Sequence, residues 1–100
     1  MSGIERIAKE RQRQIEAEGF GSEHDDRYGA VELPSAAACY LMEALRPSPT
    51  RSQPPEMWPW DREWWKPRDC TIRNLEKAGA LIAAEIDRLE RVRARTEGQS

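Results

Sequence analysis

The chain has 100 residues and a mass of 11.5 kDa; 38% of its residues are apolar, 34% are charged, and its mean hydropathy is −0.87. These values fit one small domain and exclude a large multidomain enzyme. Sixteen basic and eighteen acidic residues give a net charge of −2, without the basic excess that general nucleic-acid binding usually shows.

No segment has the apolar length of a membrane span, and the first six residues lack the apolar core of a signal peptide. The two cysteines have no CxxC spacing, which is typical of reduced thiols. We therefore expect a cytoplasmic protein with no membrane partner, in which Cys39 is a small apolar filler in a helix.

The first predicted helix spans residues 4–18, because apolar residues recur on one face at helical spacing. Gly19 is well placed to end this helix as its C-terminal cap. Two charge pairs, Glu5–Lys9 and Glu10–Arg13, are expected on the solvent-facing side. The face expected to be buried comprises Ile4, Ile7, Ala8, Arg11 and Ile15.

A polar connection over residues 22–34 leads to a second predicted helix, roughly 35–45, which Pro34 and Ser35 open. Residues 46–57 hold four of the seven prolines and predict an extended loop. The buried stripe of the second helix is expected to comprise Leu33, Ala37, Tyr40, Leu41, Ala44 and Leu45.

Ahead of the longest helix, expected over about 70–93, the sequence predicts one short helical turn capped by Asp61. The apolar positions of the long helix alternate at spacings of three and four, a heptad-like seam that predicts a partner helix opposite and favours a dimer. Because no strand pattern occurs, we expect an all-α, oligomeric domain over residues 1–95, with three main helices, a Trp/Pro-rich connecting segment and a disordered tail, 96–100. The seam comprises Ile72, Leu75, Gly79, Ile82, Ile86 and Leu89.

All four tryptophans lie between Trp58 and Trp65. In so small a domain most of these indoles are expected to form the core. An indole left exposed beside Arg and Lys side chains is a stacking surface for a planar, phosphate-bearing ligand, although the same residue types also suit a protein-binding surface. The predicted ligand-binding residues are Arg11, Trp60, Trp64, Trp65, Lys66, Arg68 and Arg73.

The first helix also has a basic face, which holds Arg6, Lys9 and Arg13 beside Arg11. Arg11 falls on the apolar stripe, where a guanidinium must reach solvent, pair with an acid or contact a ligand. Glu85, in the middle of the longest helix, is its expected counterion.

An acidic stretch that contains the only histidine offers a second kind of site. His24, Asp25 and Asp26, together with Glu85, are candidate Mg²⁺ ligands and acid–base groups of a metal-dependent nucleotide hydrolase. The alternative is a solvated connection in which an aspartate caps a turn. No Ser-His-Asp, P-loop, GxGxxG or HExxH pattern occurs, which favours a non-enzymatic protein without a cofactor.

Several blocks of the sequence resemble a family of small proteins of tailed phages and prophages. The resemblance spans nearly the whole chain apart from the proline-rich loop and the tail, and it implies phage origin and a place in the host cytoplasm rather than a chemical activity. The blocks are Glu18-Gly19-Phe20, His24-Asp25-Asp26, Trp58-Pro59-Trp60, Trp64-Trp65-Lys66-Pro67 and Lys77-Ala78-Gly79-Ala80-Leu81-Ile82.

The order of elements is loosely similar to ryanodine-receptor repeat domains, whose prokaryotic versions are linked to nucleotide-signal sensing. This similarity implies a small protein that binds a nucleotide or cyclic nucleotide and sequesters a host defence signal. The chain is also similar to all-α NTP pyrophosphatases, which implies the Mg²⁺-dependent alternative. Their Glu-x-x-Glu and Glu-x-x-Asp pairs are not reproduced, because the second helix has only Glu43 and Glu85 precedes Asp87 by two positions. A third hypothesis is an adaptor that binds a host protein through the tryptophans.

Overall fold

The computed structural model describes residues 1–19, 21, 26, 31–47 and 53–98. Within these ranges the chain forms three α-helices and one short 3-10 helix, and no strand. The all-α class expected from the sequence is therefore confirmed. No helix in the described ranges is long and apolar enough to span a bilayer. The helices are α1 (Gly3–Glu18), α2 (Glu32–Leu45), the 3-10 helix (Arg62–Trp64) and α3 (Thr71–Gly98).

Some sequence-based expectations fall outside the described residues. They concern the candidate ligands His24 and Asp25, most of the connection 22–34, and residues 48–52 of the proline-rich loop.

Both ends of α1 are fixed by local signals. The Ser2 hydroxyl accepts a hydrogen bond from the backbone N–H of Glu5 at 3.1 Å, and the Glu5 carboxylate accepts one from the backbone N–H of Ser2 at 3.0 Å. This reciprocal capping box lowers the pKa of Glu5. Gly19 ends the helix at φ +72°, in the left-handed region that a residue without Cβ adopts at little cost. The predicted C-terminal cap is confirmed.

The buried face of α1 is not the predicted one. Ile4 is 82% exposed, whereas Glu10 and Gln14 are each only 2% exposed. The expectation that Glu10 lies on the solvent-facing side is therefore wrong. The physical reason is that basic side chains from α1 and α3 surround the carboxylate and compensate its lost hydration.

α2 begins at Glu32, earlier than the predicted start at residue 35. Pro34 is compatible with this start because it lies in the first turn, where backbone N–H groups have no intrahelical partner.

The buried face of α2 is rotated from the predicted stripe. Leu41 and Leu45 are exposed rather than buried, and small side chains such as Ala36 contact α3 instead. Burial raises the pKa of the Cys39 thiol to about 11, so this cysteine stays protonated and is the apolar filler expected from the sequence. The buried residues of α2 are Leu33, Ala36, Ala37, Cys39, Tyr40 and Glu43.

α3 is the central helix, and both α1 and α2 pack against it. Its buried face combines small apolar residues, which allow close approach, with charged groups that are paired. The apolar seam is left on the open side of α3, and its large side chains are between 44% and 55% exposed. In the described part of the chain, α1 reaches the predicted seam at Gly79 through Ile7, but no helix buries the five large side chains as the heptad spacing had predicted. We call these five large side chains the α3 seam: Ile72, Leu75, Ile82, Ile86 and Leu89.

Gly79 marks a close contact between α1 and α3. A Cβ at this position would lie 2.7 Å from Cδ1 and 2.8 Å from Cγ1 of Ile7, which is closer than van der Waals contact allows. Glycine inside a helix costs about 1 kcal/mol relative to alanine. The side chain of Ile7 uses the space that this glycine leaves.

We therefore expect Gly79→Ala to destabilise the protein by about 1 kcal/mol, because the displacement of Ile7 outweighs the gain in helix propensity. In an Ile7→Ala background the obstructing atoms are absent, and the same substitution should stabilise the protein by up to about 1 kcal/mol. Chemical unfolding of the four proteins of this double-mutant cycle measures both values. The same sign in both backgrounds would contradict the proposed contact.

Candidate functional site

Three of the four tryptophans pack toward the interior. Trp65 is only 6% exposed, and its ring centroid lies 4.8 Å from that of Tyr40. Trp58 contacts Tyr40, Trp60 and Trp65 at centroid distances of 5.7, 5.3 and 5.0 Å, with steeply inclined ring planes. Such edge-to-face arrangements are the favoured geometry of aromatic pairs. Most of the tryptophan cluster is therefore core, as expected from the sequence.

Trp64 is the exception, since 42% of its surface is exposed. It lies in the 3-10 helix, and the Nζ atom of Lys66 stands 5.3 Å from its ring centroid, within the range of a cation–π contact. Asp61 precedes this helix as predicted, but its side chain forms no capping hydrogen bond. The structure thus has one exposed indole beside a lysine ammonium.

A charged cleft of about 370 Å³ lies between α1 and the first turns of α3. Four basic side chains and two carboxylates line it, so its side chains carry a net positive charge. The residues of the charged cleft are Met1, Arg6, Lys9, Glu10, Arg13, Arg73 and Glu76.

Glu10 is the centre of the hydrogen-bond network in the charged cleft. Arg13 donates to its two carboxylate oxygens at 2.8 and 2.7 Å, Arg73 donates at 2.9 Å, and the Gln14 amide donates at 3.2 Å. The Nζ atom of Lys77 is 3.8 Å away. Burial alone would raise the pKa of Glu10, but the hydrogen bonds from Arg13 and Arg73 and the charge of Lys77 outweigh it and lower this pKa to about 2.

Glu76 is the second carboxylate of the cleft, and it connects α3 with the beginning of α1. It accepts a hydrogen bond from Arg6 at 3.1 Å and another from Arg73 one turn earlier on α3. Arg73 is thereby held between Glu10 and Glu76, which raises its pKa against the opposing effect of burial. The two carboxylates fix the position of the arginine at the entrance of the cleft.

A chain of charges runs from the charged cleft to the exposed indole. One carboxylate oxygen of Glu18, at the end of α1, lies 3.5 Å from Nη2 of Arg13 and 3.8 Å from Nζ of Lys66. The backbone N–H of Lys66 donates to the Tyr40 hydroxyl at 3.1 Å, which ties the tryptophan segment to α2. Burial raises the pKa of Tyr40 to about 12 despite this bond, so its hydroxyl stays neutral.

A second cavity, of about 500 Å³, adjoins the cleft at the start of α3. Arg73 lines both cavities. Asn74 holds the backbone there, since its side chain accepts from the N–H of Arg68 at 2.8 Å and donates to the carbonyl of Arg68 at 3.0 Å. The residues lining this cavity are Pro67, Arg68, Asp69, Cys70 and Arg73.

The predicted site residues fall into four groups. Trp64 and Lys66 lie together, while Arg68 and Arg73 line the adjoining cavity. Trp60 and Trp65 face inward. Arg11 lies apart from all of these residues: its guanidinium is mostly buried and lies 3.9 Å from Asp87.

The expected Arg11–Glu85 pair does not form, because Glu85 pairs instead with Arg88 one turn later on α3, at 2.7 and 2.9 Å.

Sequence reasoning missed the buried role of Glu10. Its spacing from Arg13, three residues along one helix, was visible, but the same spacing is common on solvent-facing surfaces. The deciding contacts come from Arg73 and Lys77, more than sixty positions away in the sequence.

Two of the candidate metal ligands are held by arginines. Asp26 lies 2.8 Å from Arg91 and 3.6 Å from Arg95, and both carboxylate oxygens of Glu85 accept hydrogen bonds from Arg88. No cluster of three metal-ligating side chains occurs among the residues that the structure describes. The Mg²⁺-dependent alternative stays a prediction.

The chain matches no protein-family model, no curated protein and no solved structure. The resemblance to phage proteins therefore stays a prediction from the residues that carry it.

Proposed function

We propose that the protein is a non-enzymatic binding protein for a nucleotide-like ligand, such as a cyclic nucleotide. The observation that carries this proposal is the charged cleft, in which four basic side chains meet two carboxylates close to an exposed indole. Convergent cations in a concave site attract anions and raise their local concentration.

The basic residues have complementary roles in this proposal. Arg13 and Arg73 present guanidinium groups whose N–H donors beyond those directed at Glu10 and Glu76 can bind phosphate oxygens. Lys9 is exposed at the edge of the cleft and supplies a mobile ammonium. Because Glu10 and Glu76 already hold the two arginines in place, phosphate binding immobilises few additional rotamers.

In this proposal Trp64 supplies the surface on which the base of the ligand stacks. A base that stacks on an exposed indole gains about 1–3 kcal/mol, and Lys66 beside the ring adds a positive charge near the phosphate. Arg13, Glu18 and Lys66 connect the ring with the cleft, which supports placing base and phosphate in one continuous site.

We further propose a setting that follows from the sequence resemblance. In it the protein is phage-encoded, acts as a homo-oligomer in the host cytoplasm, and sequesters a nucleotide signal of host defence. Sequestration requires stoichiometric binding and no catalytic group.

Isothermal titration calorimetry against mono-, di- and cyclic nucleotides and inorganic phosphate tests the proposal. We expect binding of at least one nucleotide with quenching of tryptophan fluorescence. Lys9→Ala and Trp64→Ala should each weaken this binding about tenfold. Arg93→Ala, which removes an exposed charge far along α3, is the matched control and should leave the affinity unchanged.

The absence of heat and of fluorescence quenching with every nucleotide would refute the proposal. Release of phosphate or pyrophosphate in the presence of Mg²⁺ or Mn²⁺ would instead favour the hydrolase alternative. Equal losses of affinity in Lys9→Ala and Arg93→Ala would place the ligand outside the charged cleft.

A further inference from the structure

The open side of α3 carries a continuous apolar surface. The five side chains of the α3 seam follow one another at spacings of three, seven, four and three residues, with Gly79 in the gap between Leu75 and Ile82, so they lie on one face over about 26 Å of helix. Ile7 fills the gap above Gly79 in the middle of the seam, and Ile4, on the same helix as Ile7, is 82% exposed. An exposed apolar patch of this size is often an interaction surface.

We propose that the α3 seam, together with Ile4 and Ile7, is the interface through which two copies of this chain associate. Heptad-like spacing is self-complementary, because a second copy of the same helix presents its side chains at the same alternating intervals. A dimer with two-fold symmetry uses the same surface of both copies, so it needs no partner protein of a different sequence. This proposal does not depend on the nucleotide site, whose cleft lies between α1 and the first turns of α3.

The exposed apolar area of the seam is large enough for a dimer interface. The exposed parts of the seam side chains provide on the order of 500 Å² per chain, and thus roughly 1,000 Å² for two chains, which is the size that a specific interface should reach. Ile4, which is 82% exposed, adds to this area.

The charges beside the seam also agree with self-association. The seam itself is uncharged, and both acidic and basic side chains lie beside its C-terminal part on α3. Asp87 and Glu90 are exposed near its C-terminal end, and Arg93 lies one turn further, 3.8 Å from Glu90. Because both acidic and basic side chains border the seam there, two copies can meet without a block of like charge.

Sedimentation equilibrium of the full chain at about 100 µM tests the proposal, since this concentration detects even weak dimers. We expect a mass near twice 11.5 kDa for the wild type. Ile82→Glu should raise the dissociation constant at least a hundredfold, because it places a carboxylate from each copy in the apolar interface. Leu41→Glu, at an equally exposed leucine on α2, is the control and should leave the mass unchanged.

A crosslinking measurement covers the case in which Ile82→Glu does not fold. Ile82→Cys in a Cys70→Ser background retains only the buried Cys39 as a second thiol. A short bismaleimide should join two such chains, whereas Leu41→Cys in the same background should not be joined. A single-chain mass for the wild type, or equal crosslinking of both variants, would overturn the proposal.

Discussion

Glu10→Gln is expected to lower the free energy of unfolding by about 3 kcal/mol at pH 7. The carboxylate is almost completely buried and accepts hydrogen bonds from Arg13, Arg73 and Gln14. Glutamine retains the shape of glutamate but not its charge. The substitution would leave Lys77, which is 5% exposed, beside two guanidinium groups without the anion that compensates its burial. Equilibrium unfolding in urea measures this loss.

The matched control is Glu16→Gln, which makes the same chemical change on the same helix. Glu16 is exposed and accepts one hydrogen bond from Gln12, so its replacement should alter the free energy of unfolding by no more than about 0.5 kcal/mol. Equal losses in the two variants would show that the buried network around Glu10 adds no more stability than a surface contact.

The pH dependence of stability provides a second readout of Glu10. Its pKa is about 2 in the folded protein and 4.5 as the unperturbed value, so the folded state favours the ionised form. The resulting stabilisation is complete above about pH 5 and is lost as the pH falls through 4.5 toward 2, by on the order of 3 kcal/mol. Glu5 and Asp26 also have lowered pKa values, but they titrate alike in wild type and Glu10→Gln. The two stability curves should therefore converge as the pH approaches 2.

Those features of the fold that depend on local sequence could be predicted. The end of α1 at Gly19 follows from a glycine behind an amphipathic run, and the approximate positions of the three helices follow from periodicity and proline placement. The end of α3 was predicted wrongly, since the helix continues to Gly98, into the tail that was expected to be disordered. The burial of most tryptophans in the core could also be predicted from the sequence, because a chain of this size has few other large apolar side chains.

Which face of each helix is buried could not be predicted in the same way. Periodicity identifies an apolar stripe, but it does not say whether the stripe meets another part of the same chain. In α1 and α3 the faces buried inside the chain hold Glu10, Lys77 and Arg88, and their burial is possible only because partners neutralise them. The contacts Arg6–Glu76 and Arg73–Glu10 join residues 70 and 63 positions apart, and no local pattern encodes them. The charged cleft was therefore visible from the sequence only as an unassigned basic face on the first helix.

Substitution of the adjacent indoles of Trp64 and Trp65 should destabilise the protein to very different extents. Trp65→Ala is expected to lower the free energy of unfolding by about 3–5 kcal/mol, because it removes a buried ring that contacts Tyr40 and Trp58. Trp64→Ala should cost less than about 1 kcal/mol, since that ring is 42% exposed and its described ring contact is with Lys66. Thermal and urea unfolding measure both changes.

Trp65→Phe separates loss of volume from loss of a hydrogen bond. The indole N–H of Trp65 is buried and has no hydrogen-bond partner among the described residues, so phenylalanine gives up no bond and keeps most of the ring contacts. We expect it to retain more than half of the stability that Trp65→Ala loses. If Trp64→Ala destabilised the protein as strongly as Trp65→Ala, the exposed indole would be structural. That result would contradict the stacking role proposed for Trp64.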